Sequence, residues 1–396
     1  MKYEQVAKFV NEAYKMTTGT EDINILDTSS VVDVGKELLD GSHNQFLPNL
    51  VSLIMGQIIV DRTLDKGYNK IDILRREYEY GSILEKITLD IPEAEDDPRF
   101  TLKDGDSVDQ YKIKLAKATA KFFENSVAKQ ITQTIFTDRL KDAFMNENRL
   151  NAFISAIYTQ IYNRIVIDDV NLTMSVITNH IGAVLNHDIP DKDYKNNSTA
   201  RAVNLLKSYN EQFGTDLKPE KALTTPEFLR YSALVMTNYI SYMQAPSVIY
   251  NISGKMKFTP KDLLHIVLLS DFKNAFTMYL ESDTYHKELI SLPKSESIVQ
   301  WQGSGTAEEN DSISKSVLER STIKVKANIG NNKTEDIEIT GVLGVMFDHE
   351  ADGIYNAQEK ITSSYNANGD YTNYFYKYRK SFFNDFAENF VVFFIA

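Results

Sequence analysis

Six histidines are the chain's first candidates for chemistry, and no cysteine accompanies them. Disulfide frameworks, thiolate zinc sites and cysteine nucleophiles are therefore excluded. His180 and His187 are the closest pair. On a helix they share a face, but two turns separate them and no acid stands at a ligand spacing, so packing or surface roles outweigh a metal site. His349 stands between Asp348 and Glu350, which reads as an acidic turn after a strand rather than an acid–base cluster. Asp168 and Asp169 are adjacent, and adjacent residues on a helix point about 100° apart. They do not share a substrate as a general acid and base would, and they read as solvated acids or as partners for bases across an interface. The acids from Glu93 to Asp109 lack the Asp-x-Asp-x-Asp-Gly spacing and distant Glu of a calcium loop.

None of the glycine-rich phosphate loops, the Gly-x-Ser-x-Gly elbow or the His-Glu-x-x-His zinc motif occurs. Gly303-Ser304-Gly305 is a lone flexible loop. The tyrosines around Lys377 and Arg379 fit a core strand better than a base-stacking platform. The expected catalytic, cofactor-binding and metal-ligating residues are accordingly none. A net charge of −12 argues against a protein that grips nucleic acid through its phosphates, and suits a wall that must not adhere to polyanions. With 25% charged and 42% hydrophobic residues over 396 positions, the chain has the profile of two or three folded units or one elaborated unit. The start, Met1-Lys2-Tyr3-Glu4-Gln5, lacks a signal-peptide core, and the run Leu50 to Val60 is too short to span a bilayer, so a soluble chain without membrane contact is expected.

The element that organises the rest is Asn148 to Leu185. Leu150, Phe153, Ile154, Ile157, Ile161 and Ile165 recur at helical spacing, and after a polar break at Asp168-Asp169 the row resumes through Leu172, Val176, Ile177, Ile181, Val184 and Leu185. A continuous helix there is roughly 57 Å long, a spine to which other parts attach. Before it, residues 70 to 135 read as a long two-stranded excursion. Ile83, Ile87, Leu89 and Ile91 alternate with polar residues on the way out, and Tyr111, Ile113 and Leu115 on the way back, around an acidic tip at Glu93 to Pro98. The returning limb is basic: Lys112, Lys114, Lys117, Lys121, Lys129. A hairpin this long cannot bury its own faces; its opposed charge blocks point to another copy of the chain, the alternative being a hairpin folded back on its own domain with its charges solvated.

Short helices are expected at Tyr3–Tyr14, Val31–Leu39 and Thr137–Phe144, with a buried run at Leu47–Val60. Beyond the spine the pattern predicts a helix over Ala200–Tyr209, stopped near Gly214. A second runs from a capping box at Thr224-Thr225-Pro226-Glu227 to about Met243. His265 to Leu269 reads equally as a strand or as helix. Further strands are expected at Val299–Trp301 and Val342–Phe347, and as a hairpin joining Ile323 and Val325 to Ile337 and Ile339. The aromatic stretch Tyr374 to Ile395 must be buried in a sheet.

This order of parts resembles the Hong Kong 97-type fold of tailed-phage major capsid proteins, and most closely the major head proteins of phi-twenty-nine-like short-tailed phages. The residues that carry the likeness are Lys121-Phe122-Phe123-Glu124, Asp138-Arg139-Leu140-Lys141-Asp142-Ala143-Phe144, Phe153 to Tyr158, Gly344-Val345-Met346-Phe347-Asp348 and Tyr371 to Ala396. The resemblance is best over 120–190 and 337–396. It implies an α+β chain with an N-terminal arm at 1–69, an extended E-loop at 70–135, a peripheral domain from 136–195 and 350–396, and an axial domain at 196–349. It tips His265–Leu269 to strand and has the C-terminal strand return to the first sheet. It implies a non-enzymatic shell protein of the virion, assembled in the bacterial cytoplasm as pentamers and hexamers around double-stranded DNA. A portal occupies one vertex, and the DNA is contacted non-specifically. The shortness of the N-terminal region implies a separate scaffolding protein, and no immunoglobulin-like domain is expected after Ala396. The expected inter-subunit contacts are Glu95, Asp96, Asp97, Lys112 and Lys114. An encapsulin-like nanocompartment shell of the same fold and an acidic carboxylate hydrolase are the alternatives.

Overall fold

The computed structural model describes residues 71–278, 295–302 and 320–396, except 72, 78–83, 90, 93, 95, 110, 112, 114, 116–117, 137–146 and 329–333. The elements expected at 3–14, 31–39, 47–60 and 137–144, and the loop opened by Gly303, lie outside those residues. In chain order the strands and helices are β1 (Leu74–Glu77), β2 (Leu84–Leu89), α1 (Pro98–Thr101), β3 (Ala118–Phe123), β4 (Ser126–Phe136) and the spine helix α2 (Glu147–Asp188). Then follow β5 (Ala202–Asn204), α3 (Leu205–Phe213), α4 (Pro219–Ala222), α5 (Pro226–Gln244), a 3₁₀ turn (Lys261–Leu263), β6 (Leu264–Leu269) and α6 (Ser270–Phe276). The remainder is β7 (Glu296–Ile298), β8 (Ile323–Asn328), β9 (Thr334–Ile339), β10 (Val342–Asp348), β11 (Asp352–Asn366), β12 (Tyr371–Asn384) and β13 (Phe390–Phe394).

The spine is one helix of 42 residues, about 63 Å long, and it runs through Asp168-Asp169 without a break. Those two aspartates are buried while Ile167 beside them is 45% exposed, the reverse of what hydropathy alone dictates. The expectation of solvated acids is therefore corrected, and partners from the chain's own strands explain the burial. Asp168 meets Lys129 at 2.9 Å, Arg164 at 3.2 Å and the Tyr378 hydroxyl at 2.5 Å. Asp169 pairs with Lys380. At the far end, Asp188 sits where the helix dipole disfavours an acid, and Arg201 answers it with two bonds of 2.5 and 3.1 Å.

Two sheets flank the spine. One has the order β1-β11-β12-β4 and the other β5-β13-β10-β6-β7, while β2-β3 and β8-β9 are two-stranded. β12 alternates. Tyr374, Tyr376, Tyr378 and Lys380 are buried, while Phe375, Lys377 and Arg379 are at least partly exposed, as suits a sheet covered on one face. All five residues of β13 are buried. The C-terminal stretch expected to return to the first sheet as a strand forms two: β12 does so beside β4, but the last strand, β13, crosses to the other sheet between β5 and β10. An apolar run without alternation needs a site covered on both faces, and only a central strand offers one.

Several local expectations shift for physical reasons. The returning limb of the first hairpin is Ala118–Phe123, and Tyr111, Ile113 and Leu115 are exposed outside any strand. The strand expected at Val299–Trp301 lies earlier, at Glu296–Ile298. Trp301 is instead a buried anchor whose indole Nε1 donates to the Val342 carbonyl at 2.8 Å. α3 starts at Leu205 because Ala202–Asn204 is drawn into β5, and Asn204 then caps it through the Lys207 amide. α5 is capped by Thr225, which puts Glu227 one position short of the capping-box site, and the Thr225 hydroxyl bonds back to the Lys221 carbonyl instead. Residues 264–269 form strand, and the hairpin pairing Ile323 with Ile339 and Val325 with Ile337 forms as expected.

Candidate interaction surface

The hairpin β2-β3 has a polar side and an apolar side, and it turns the polar one inward. Its register sets Leu84, Lys86 and Thr88 across from Phe123, Lys121 and Thr119 on one face. Glu85, Ile87 and Leu89 lie across from Phe122, Ala120 and Ala118 on the other. Lys86 and Lys121 are thus directly opposed, a repulsive pair in an isolated hairpin. Asp385, in the turn between β12 and β13, resolves it, with one oxygen 2.9 Å from Lys86 and the other 2.5 Å from Lys121. Glu388 bridges Lys86 and Lys257 at 2.9 Å each. Lys255 donates to the Thr119 hydroxyl at 2.8 Å. At the root, Leu84 and Phe123 pack on Tyr355 and Phe383, with the two phenylalanine rings 4.9 Å apart.

Burial alone pushes the Asp385 carboxyl up, but Lys86 and Lys121 outweigh it and hold the group below the ordinary aspartate value. Burial likewise pushes the Lys86 ammonium down, and Asp385 and Glu388 overcome it and raise that group. The clamp is a mutually charged cluster, and it fixes the hairpin on the body.

The outward face carries the opposite chemistry. Ile87, Leu89 and Phe122 are 63%, 69% and 65% exposed. Farther out Phe100, Tyr111, Ile113 and Leu115 are exposed as well. A row of this kind on one side of a two-stranded ribbon is far from the scattered apolar residues any surface tolerates, and it marks a contact surface.

Of the residues expected at subunit contacts, Asp96 is exposed and Asp97 half-buried, its carbonyl accepting the Phe100 amide at 3.0 Å. Glu95, Lys112 and Lys114 lie outside the described residues. Lys121 and Lys129, taken from sequence as part of a basic limb facing another copy, have internal partners in Asp385 and Asp168. Sequence reasoning missed Asp385 and Glu388, since nothing in a single chain ties them to a hairpin some 260 residues earlier. The usable signal was the lysine at the centre of each strand's polar face.

The four described histidines do packing and hydrogen-bonding work. His180 is buried in the spine, its Nδ1 2.8 Å from Asp352 Oδ1 and its ring stacked 3.9 Å from Phe390. His349 Nδ1 lies 3.0 Å from His265 Nε2. His187 sits beside Asp188 and Arg201 at the exposed end of the helix. Among the described residues no group of three or more histidines and acids is arranged to hold a metal ion, and no helix is long and apolar enough to cross a membrane.

Residues 4–394 match the family model of the Phi29-like phage major capsid protein. The chain belongs to that family. A major capsid protein of Bacillus phage GA-1 is 27% identical over 191 residues, which span 48% of this chain and 38% of that protein. The chain therefore aligns with well under two thirds of this curated relative. Among solved structures, the capsid of Staphylococcus phage Andhra is similar with a TM-score of 0.49 at 14% identity, covering 84% of this chain and 86% of that one. The capsid of cyanophage P-SCSP1u gives 0.42 at 10% identity, covering 85% and 91%.

Proposed function

We propose that this member of the Phi29-like family is a structural tile of a tailed-phage head, built on the Hong Kong 97-type plan. It associates as pentamers and hexamers into an icosahedral or prolate shell around packaged double-stranded DNA. The observation that carries the reading is the inverted polarity of β2-β3, charged side pinned to the body and apolar side presented to solvent. A subunit has no use for that arrangement alone, whereas repeated heterologous contact between copies covers such a face at every position of a closed shell.

Within the reading, Glu95, Asp96, Asp97, Lys112 and Lys114 are inter-subunit contacts. Residues 1–69 serve as arm, 70–135 as E-loop, 136–195 with 350–389 as peripheral domain and 196–349 as axial domain. The pairing of β13 with β5 and β10 supports giving 390–396 to the axial unit. A separate scaffold guides assembly in the host cytoplasm, a portal fills one vertex, and DNA is touched without sequence preference, as the net charge of −12 favours. The protein has no catalytic role in this account, and the pairing of Asp168 and Asp169 to separate cations supports that.

Sedimentation followed by negative-stain microscopy tests the proposal. Closed particles are expected under assembly conditions. A protein that stays monomeric under every such condition, with or without the phage's scaffold, overturns it.

A further inference from the structure

The geometry points to a two-imidazole seat for one copper(II) or nickel(II) ion between His265 and His349, at the rim of the five-stranded sheet. The site goes beyond the shell reading and does not depend on it.

Three adjacent strands set the groups in a row. β10 runs antiparallel to β6 with Phe347 opposite His265. His349 comes two residues after Phe347, and its amide continues the ladder by donating to the Leu263 carbonyl at 2.8 Å. Alternation therefore puts both imidazoles on one face of the sheet, diagonal to each other across the strand pair. On the other side of β6, β7 runs parallel with Glu296 opposite Val267. The Glu296 carboxylate thus falls on that same face, beside His265.

The contacts follow that order. Glu296 Oε1 lies 3.7 Å from His265 Nδ1, and His265 Nε2 lies 3.0 Å from His349 Nδ1. The two imidazole centres are 5.0 Å apart with planes inclined by 35°, and the Phe347 ring stacks on His265 at 5.8 Å. A carboxylate beside Nδ1 favours the tautomer with its proton there, which leaves the Nε2 lone pair turned to the second ring. An acid behind one imidazole is the usual support of a metal-bound histidine. In the metal-free chain the His349 Nδ1–H donates to His265 Nε2. On binding, His349 carries its proton on Nε2 instead, and both facing nitrogens offer lone pairs to the ion.

The separation selects the ion. At an ordinary metal–nitrogen length of about 2.05 Å, nitrogens 3.0 Å apart subtend about 94° at the metal. That is the cis angle of a square-planar or octahedral ion, which copper(II) and nickel(II) adopt with imidazole ligands. A tetrahedral ion such as zinc(II) opens the angle to about 109° and needs nitrogens roughly 3.3 Å apart. No third histidine or acid completes a set among the described residues. Water fills the remaining positions, and the ion is exchangeable.

The test titrates copper(II) chloride into the full, tag-free, unassembled chain near neutral pH, followed by calorimetry. Electron spin-echo spectroscopy of the equimolar complex counts the bound imidazoles, and two are expected. Loss of even a supporting partner weakens metal sites about tenfold or more, so His349→Gln is expected to lower affinity at least about tenfold and leave one imidazole coupled. Glu296→Gln is expected to weaken binding about tenfold with both imidazoles retained. A chain carrying His43→Gln, His187→Gln and His286→Gln together should bind as the unaltered protein does. Thermal midpoints establish that each variant folds, and the imidazole count on the unaltered chain decides the matter if His349→Gln does not. A count of one, undiminished binding by a folded His349→Gln chain, or loss of the site in the triple variant overturns the inference.

Discussion

At the scale of single residues, the junction of the spine with both sheets depends on one buried polar knot. Asp352 Oδ1 accepts from Asn384 at 2.7 Å and meets His180 Nδ1 at 2.8 Å. Asn384 in turn donates to the Val176 carbonyl and accepts from Asn179. Removing one member leaves the others buried without partners, which costs more than the bond itself contributes. Asp352→Ala is expected to destabilise the subunit by about 3 kcal/mol, read as a fall in the urea midpoint of the unassembled chain. An unchanged midpoint would show the knot to be dispensable. Gly341 is a second such point. Its φ of +97° lies in the region that favours glycine, and a Cβ there would collide with the Ile395 carbonyl. Gly341→Ala is expected to cost at least about 2 kcal/mol by strain and by loosening β13 from β10, measurable in the same titration. His180 shows why such roles are hard to read from sequence. Its spacing to His187 was visible, but Asp352 and Phe390 reach it only through the tertiary fold.

At the scale of elements, the hairpin clamp has a pH window with a definite sign. The Asp385 carboxyl is depressed in the fold, so its contribution is complete above the ordinary aspartate value of 3.8 and is lost as pH falls through the folded value. The Lys86 ammonium is raised, so its contribution is complete below the ordinary 10.5 and is lost as pH rises through the folded value. The clamp therefore holds across the neutral range and opens only under strong acid or base. Asp385→Asn should weaken the clamp across that window by removing the one anion that Lys86 and Lys121 share, leaving Glu388 and Glu350 to Lys86 alone. Amide exchange in β2 and β3 at pH 7 is then expected to rise by about two orders of magnitude or more, given the several kcal/mol that a broken buried pair costs. Exchange in β10 and β13 should stay slow. If the β2-β3 amides remained as protected as before, packing of Leu84 and Phe123 alone would account for the anchoring. Much at this scale was legible beforehand. Period-two alternation located β2, β12 and the β8-β9 hairpin, and helical spacing located the spine. What alternation lacked was register, because Tyr111, Ile113 and Leu115 alternate as cleanly as β3 does. The choice fell to Lys121 meeting Asp385 and Phe123 meeting Phe383, contacts outside the hairpin itself.

At the scale of the whole molecule, the outward apolar face governs how copies meet. Hydropathy showed that the long hairpin had apolar residues on one side. It did not show which side faced the body, since that is decided by Asp385 and Glu388 reaching the lysine side from the other end of the chain. Once the lysines are anchored inward, Ile87, Leu89 and Phe122 are left exposed among the described residues, and in the shell reading another subunit covers them. Each such side chain contributes roughly 1.5–3 kcal/mol on full burial, so a contact repeated around every capsomer is strong in sum. Ile87→Asp combined with Leu89→Asp places charges on that face without touching the clamp. The expected product is a folded subunit with an unchanged thermal midpoint and an assembled fraction at least about tenfold lower, followed by sedimentation velocity. Apolar burial also weakens on cooling, so unfilled particles of the unaltered chain should release subunits more readily near 4 °C than at 25 °C, the reverse of what a purely ionic contact gives. Particles indifferent to both the double aspartate substitution and the cold would mean that the exposed face of β2-β3 is not where neighbours touch, and the link from hairpin polarity to shell formation would fail with it.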